Sequence, residues 1–303
     1  MYQNIIRELE AVPGGPEVLT DEPMSRHTTF RIGGNADVFV TPRNIMQTVE
    51  VLRIVQKSGF HFFVIGNGSN LLVSDSGYRG IVVRIFRGPG DIRVDGERIE
   101  AEAGASLSAV AAEARESSLT GFEFASGIPG TLGGAIVMNA GAYGGEMKDV
   151  VKSAKVLTRE GEVISLTADE LAFGYRTSII PKEDYVVLSA EILLKKGDQD
   201  SIRAKMKELQ ERRITKQPLE YPSAGSTFKR PEGYFAGKLI DDAGLRGFRV
   251  GDAMVSDKHC GFVINTGKAS ASDVRLLMKK VSDKVYENSG VHLEPEVRLL
   301  GDF

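Results

Sequence analysis

Stretches with apolar residues at helical spacing alternate along the chain with short apolar runs, a pattern that predicts helices and strands interleaved throughout. Residues 1–12 read as a short amphipathic helix, stopped by Pro13-Gly14-Gly15-Pro16. Thr41 is a good N-cap and Pro42 suits a first helical position, so a helix is predicted from there to Gly59, a natural residue just past a helix end. In it Ile45, Val49, Leu52 and Gln56 fall at helical spacing, with Ile45, Val49 and Leu52 as the buried stripe. Residues 61–65 form an apolar strand that runs straight into Gly66, and residues 81–86 form another. Beyond Gly88-Pro89-Gly90-Asp91 the pattern predicts a strand at 98–103 and a helix at 107–117. Strands at 152–158 and 163–166 follow, with the Glu160-Gly161 turn between them, and then a longer strand at 185–196. A charged helix at about 201–213 opens a last segment. It holds residues 223–228, a helix at 235–243, a strand at 261–265 and a helix at about 270–288. That last helix places Val274, Leu277, Met278 and Val281 on one side, and the final strand, 297–300, needs a partner sheet earlier in the chain.

This ordering indicates an α/β or α+β architecture, and 303 residues allow two or three domains. A net charge of −3 gives no field to attract nucleic acid or an anionic membrane, so an anionic ligand needs a local site. Cys260 is the only cysteine, which excludes an intramolecular disulfide and a cysteine metal cluster. Neither a signal peptide nor an apolar run of about 20 residues is present, so a cytoplasmic location and no membrane insertion are expected. His27, His61, His259 and His292 lack zinc-type spacing, and no metal is assigned.

Two glycine-rich segments change the picture. Gly66-Asn67-Gly68-Ser69-Asn70 follows a strand, and successive N–H groups in such a turn form a nest for an anion. The alternative is a tight strand–strand turn. Leu71 stands where the dinucleotide fingerprint needs its third glycine, and neither Gly237-Lys238 nor Gly267-Lys268 continues into Ser or Thr. Rossmann and P-loop readings are therefore disfavoured. The second segment is Gly127-Ile128-Pro129-Gly130-Thr131-Leu132-Gly133-Gly134-Ala135, with small residues continuing to Gly145. It reads as backbone packed on a ligand or, alternatively, as a close helix–helix contact.

Together the two segments resemble the FAD-binding domain of the family that includes vanillyl-alcohol oxidase. A fuller set of motifs resembles the UDP-N-acetylenolpyruvoylglucosamine reductase family: His27-Thr28-Thr29-Phe30-Arg31-Ile32-Gly33-Gly34, Gly174-Tyr175-Arg176-Thr177-Ser178, Ser223-Ala224-Gly225-Ser226-Thr227-Phe228-Lys229 and Leu293-Glu294-Pro295-Glu296-Val297-Arg298. The resemblance implies an α+β FAD-binding fold of two α+β subdomains (1–87 with 292–303, and 88–199) plus an α+β substrate domain at 200–291. It implies FAD as cofactor, held by the two glycine segments, and NADPH as co-substrate. The reaction implied is reduction of UDP-N-acetylglucosamine-enolpyruvate to UDP-N-acetylmuramate for peptidoglycan. Arg176, Ser226 and Glu296 carry over as catalytic residues, and Tyr175, Lys229 and His259 as substrate-binding ones.

Those residue types suit the chemistry. Hydride added to the terminal carbon of an enolpyruvyl ether pushes charge onto the carboxylate, where a fixed guanidinium such as Arg176 stabilises it. Ser226 then supplies the proton, its alkoxide needing help from Lys229 or a following helix N-terminus. Glu296 orients the substrate or holds a polar relay. One departure stands out: the family usually carries Asn where this chain has Arg230. Alternatives are another FAD oxidoreductase of the same fold, or a non-catalytic nucleotide-binding module.

Overall fold

Residues 2–85 and 90–303 are described by the computed structural model, so Phe86, predicted to end a strand, and the predicted boundary at 87/88 lie outside them. The chain divides into two compact units, and each is assembled from three separate stretches.

The first unit comprises Met1–Thr20, Val38–Asn67 and Gly80–Arg213. Its helices are α1 (Gln3–Glu10), α2 (Ile45–Lys57), α3 (Leu107–Glu116) and α4 (Leu132–Met138), together with most of α5 (Gln199–Lys216). A five-stranded antiparallel sheet runs in the order Val163–Thr167, Val151–Leu157, Val186–Leu193, Arg98–Glu102, Ile92–Asp95. Strand Phe62–Ile65 pairs in parallel with residues 81–84, Phe62 lying opposite Ile81. Leu52, Val83, Ile99, Leu107, Leu132 and Val156 are wholly buried in one core.

Helix α2 starts later than its sequence suggests. Thr41 ends a strand, and Asn44 is the N-cap, its side chain accepting the Gln47 N–H at 2.9 Å. The buried face shifts accordingly to Gln47, Thr48, Val51, Leu52 and Val55, leaving Ile45 and Val49 half-buried. Gly59, at φ +73°, does sit just past the helix end. The predicted long strand at 185–196 is two, Val186–Leu193 and Lys195–Lys196, which join different sheets.

Asp21–Asp37, Gly68–Arg79 and Ile214–Phe303 make the second unit. An antiparallel sheet orders Ser223–Ser226, Phe262–Asn265, Ala253–Val255 and Arg249–Val250, alongside α6 (Ala236–Asp242) and α7 (Ala271–Ser289). Helix α7 begins with a capping box in which the Ser270 side chain takes the Asp273 N–H and Asp273 takes that of Ser270. It ends at Gly290, in the left-handed region. The Asp75 carboxylate accepts the Ala271 and Ser272 N–H groups at 2.7 and 2.9 Å, which fastens the start of α7 to a distant part of the sequence. Val274, Leu277, Met278, Val281 and Val285 are buried with Phe30, Leu72 and Val297. Burial stabilises by about 1.5–3 kcal/mol for each large side chain on this face. The partner of the last strand is Leu71–Val73, paired in parallel with Arg298–Leu300.

Candidate active site

Gly66, which opens one glycine segment, meets the other segment within the first unit. Gly66 follows strand Phe62–Ile65, and a Cβ built on it would collide with Thr131 Oγ1 and lie 3.1 Å from Thr131 Cγ2. Thr131 is buried and is the N-cap of α4, accepting the Gly134 N–H at 3.3 Å. Helix α4 lies inside the stretch that the sequence presents only as small residues. Its Leu132 and Gly133 N–H groups are already taken by the carbonyls of Ala105 and Ala103, both at 2.9 Å. Gly133 thus serves close packing: a Cβ there would lie 2.8 Å from that of Ala103. Upstream, the turn Gly127-Ile128-Pro129-Gly130 is half-buried or exposed.

The first segment keeps its donors. Among the described residues, the N–H groups of Asn67, Gly68 and Ser69 have no protein acceptor. Gly68 needs its φ of +62°, and a Cβ on it would strike the His27 carbonyl, so no other residue fits there. A row of donors with no internal partner on a backbone closed to side chains suits a phosphate. The Asn70 side chain donates instead to the Glu296 carbonyl, 3.1 Å away within the second unit.

Arg176 belongs to the first unit and sits in the tight turn Gly174–Thr177, closed by Gly174 N–H to Thr177 O at 3.0 Å. With φ +56° it occupies the turn position that glycine usually takes. Its Nη2 donates to Gly141 O at 3.3 Å, and its guanidinium lies over the Tyr175 ring at 5.2 Å. Glu146 is nearby. Its carboxyl is held below the usual range, first by the Lys148 hydrogen bond and in smaller part by the Asn139 amide and the Arg176 charge, with burial working against them.

Ser226 and Glu296 are neighbours in the second unit. Residues 294–296 run beside 227–229, with Lys229 N–H to Glu294 O and Glu296 N–H to Thr227 O both at 2.8 Å. Ser226 ends its strand, and its Oγ donates weakly to Phe228 O at 3.4 Å. No helix follows it closely, because α6 begins at Ala236, and the Lys229 ammonium lies 3.1 Å from the Glu294 carboxylate. Gly261 lies between Ser226 and His259: a Cβ on it would be 3.7 Å from Ser226 Oγ and 2.9 Å from His259 Cε1. His259 Nδ1 accepts the Gly261 N–H at 3.1 Å, which leaves the proton of the neutral ring on Nε2. Burial disfavours its charged form and lowers its pKa. Arg230, the departure from the family pattern, packs its guanidinium 3.9 Å from the centre of the exposed Phe235 ring.

Two groups in this region escape the sequence reading. Asn139 looks like one more small residue but is fully buried and caps the C-terminus of α4 at φ +41°. Arg213 lies against Gly127, where a Cβ would be 3.2 Å from its Nη1, and has no carboxylate partner among the described residues. Nothing in the sequence separates it from Arg212, which pairs with Glu208.

Comparison with known proteins bears directly on these features. A family model described as an FAD binding domain matches residues 36–167. Another, described as the C-terminal domain of UDP-N-acetylenolpyruvoylglucosamine reductase, matches residues 217–300. The reductase of that name from Lachnoclostridium phytofermentans is 55% identical, covering 100% of this chain and 99% of its own length. That from Clostridioides difficile is 49% identical, with 99% of each covered. The crystal structure of UDP-N-acetylenolpyruvylglucosamine reductase from Thermus caldophilus superposes with a TM-score of 0.79 at 34% identity, covering 94% of this chain and 99% of that one. Glycine cradle, strained arginine turn and the adjoining segments that carry Ser226 and Glu296 thus lie in a chain that belongs, over its whole length, to the UDP-N-acetylenolpyruvoylglucosamine reductase family.

Proposed function

We propose that this chain is an FAD-dependent oxidoreductase that uses NADPH to reduce the enolpyruvyl group of UDP-N-acetylglucosamine-enolpyruvate, yielding UDP-N-acetylmuramate for peptidoglycan synthesis. The observation that carries this reading is the end-to-end likeness to reductases of that name. NADPH and nucleotide sugars are cytoplasmic metabolites, so the proposal carries a cytoplasmic location. The division into 1–87 with 292–303, 88–199 and 200–291 is proposed as two cofactor-binding parts and a substrate part. The family matches at 36–167 and 217–300 support only the coarser separation of an earlier cofactor part from a later substrate part.

The residues present fit the cofactor. The glycines at 66 and 68 leave no room for side chains, and the N–H groups of Asn67, Gly68 and Ser69 are available for a diphosphate. Ile128, Pro129, Gly130 and Thr131 are proposed to contact the cofactor as well. When bound, FAD supplies the hydride-carrying chemistry between NADPH and the substrate.

The chain's own residues do the rest. As a hydride reaches the terminal carbon of the enolpyruvyl ether, the double-bond electrons move to the adjacent carbon and into its carboxylate. Arg176 binds that carboxylate and stabilises the charge where it develops, an effect worth roughly 10²–10³ in rate for a single donor. Ser226 Oγ then gives its proton to the adjacent carbon, and the net result is hydride plus proton added across one double bond. Glu296, on the segment that runs beside residues 227–229, orients the substrate, with Tyr175, Lys229 and His259 as its binding partners.

Steady-state NADPH oxidation by the purified flavoprotein tests the reading. It should depend on the enolpyruvyl UDP-sugar and yield one UDP-N-acetylmuramate per NADPH. Oxygen-dependent turnover of a simple alcohol, with no response to the UDP-sugar, would indicate a different oxidoreductase of the same fold. Failure to take up flavin would indicate a non-catalytic module.

A further inference from the structure

We propose that Asn139 is a positioning residue for Arg176, fixing the turn that aims the guanidinium at the substrate carboxylate. The inference rests on the reading that Arg176 is catalytic.

Arg176 is held in a backbone conformation that its side chain does not favour. The left-handed region costs a residue with a Cβ about 1–2 kcal/mol, so such a turn persists only where its surroundings hold it. The holding groups converge on one place, the C-terminal end of α4 and the residues just after it. Asn139 Nδ2 donates to Gly174 O, the first carbonyl of the turn, at 3.0 Å. Ser178 Oγ donates to Val137 O at 3.0 Å, and Arg176 Nη2 to Gly141 O at 3.3 Å.

Asn139 also ties the turn to the segment around Glu146 and Lys148. Its other Nδ2 hydrogen goes to Glu146 Oε2 at 3.1 Å, and its Oδ1 accepts the Lys148 N–H at 2.9 Å. The side chain is completely buried, so water cannot replace a lost bond. Its own φ of +41° suits Asn, which tolerates the left-handed region better than most residues. Only an amide satisfies this arrangement. Aspartate would offer lone pairs to the Gly174 carbonyl and to Glu146, with no hydrogen to give. Ser178 acts outside the turn, and Glu146 is drawn first to Lys148. Asn139 acts on the turn's first residue directly.

Asn139→Gly separates side chain from backbone, because glycine keeps the left-handed cap without strain. The flavin-loaded variant is mixed rapidly with NADPH and, once reduced, with the enolpyruvyl UDP-sugar, and amide exchange is followed at Gly174 and Thr177. Flavin reduction should stay within about two-fold of the parent, while the substrate half-reaction slows roughly 10- to 100-fold, the cost of a displacement near 1 Å. Exchange at Gly174 and Thr177 should quicken. In an Arg176→Ala background the same change should add less than about two-fold, because the group being positioned is gone. The inference is overturned if Arg176→Ala slows the substrate half-reaction and Asn139→Gly does not. It is also overturned if both half-reactions slow alike while exchange in the turn is unchanged. If Arg176→Ala itself leaves the substrate half-reaction intact, the catalytic reading of Arg176 fails, and the inference fails with it.

Discussion

Replacing Gly66 with alanine tests whether the two glycine segments form one cradle. Gly66 has an ordinary backbone φ, so alanine is conformationally acceptable and only space opposes it. The added methyl would overlap Thr131 Oγ1 and lie 3.1 Å from Cγ2 and 3.2 Å from Cβ. Thr131 is 2% exposed, so it cannot swing into solvent. If it rotates away it gives up the Gly134 N–H, a cap worth about 1 kcal/mol. If it stays, the overpacking costs about 1–3 kcal/mol. Either way the cost is about 1–3 kcal/mol, or a fall in melting temperature of roughly 2–12 °C for a unit of this size. The cradle widens at the same time, so flavin content, read as the ratio of flavin to protein absorbance, should drop. Thr131→Ala removes Oγ1 and Cγ2, so in that background the Gly66 change should cost at least about 1 kcal/mol less. A Gly66→Ala protein that melts within about 1 °C of the parent and keeps its flavin would refute the reasoning, and so would strictly additive losses.

Ser226→Ala should leave flavin reduction by NADPH intact and slow the substrate half-reaction by about 10²–10⁴. Its stability should change little, since the hydroxyl makes only a 3.4 Å bond to Phe228 O. Equal loss of both half-reactions, followed by stopped-flow absorbance, would count against the proton-donor role. His259 has a folded-state pKa below its ordinary 6.5 because it is buried, so its contribution is present above that pH and lost as the pH falls. Urea unfolding of His259→Gln between pH 7.5 and 5 should therefore show a shallower loss of stability on acidification than the parent. A parallel pair of curves would contradict the assignment. Cys260 is buried and its thiol is pushed up to about 11. At pH 8 Ellman's reagent should therefore label it at least about 100-fold more slowly in the native protein than in urea. Fast native labelling would mean that this part of the second unit opens readily.

How much of this was legible in the sequence depended on how local the determining forces are. Helix α7 was readable because the Ser270 and Asp273 capping box and the buried stripe from Val274 to Val281 all lie within it. Helix α4 was not. Two glycines in seven residues cost about 1 kcal/mol each relative to alanine, and the close approach of Gly133 to Ala103 that they permit is tertiary. The start of α2 differs from its local signal because the strand Asn35–Thr41 overrides Thr41-Pro42. The last strand's need for an earlier partner was visible in its position, and Leu71–Val73 meets it. At the site, the glycine density announced a cradle, but the contact between Gly66 and Thr131 is a matter of tertiary packing. Arg176 was identifiable only through its motif, since no local signal predicts an arginine at φ +56°. Asn139 and Arg213 owe their interest to burial, which their neighbours in sequence do not reveal.

The account's central claim, an FAD enzyme passing hydride from NADPH to an enolpyruvyl UDP-sugar, is tested most directly by one anaerobic titration of the purified protein. The spectrum should show oxidised flavin, lose that absorbance on addition of one equivalent of NADPH, and regain it on addition of UDP-N-acetylglucosamine-enolpyruvate, with an equal amount of UDP-N-acetylmuramate formed. A flavin that NADPH bleaches but the UDP-sugar does not restore would contradict the claim.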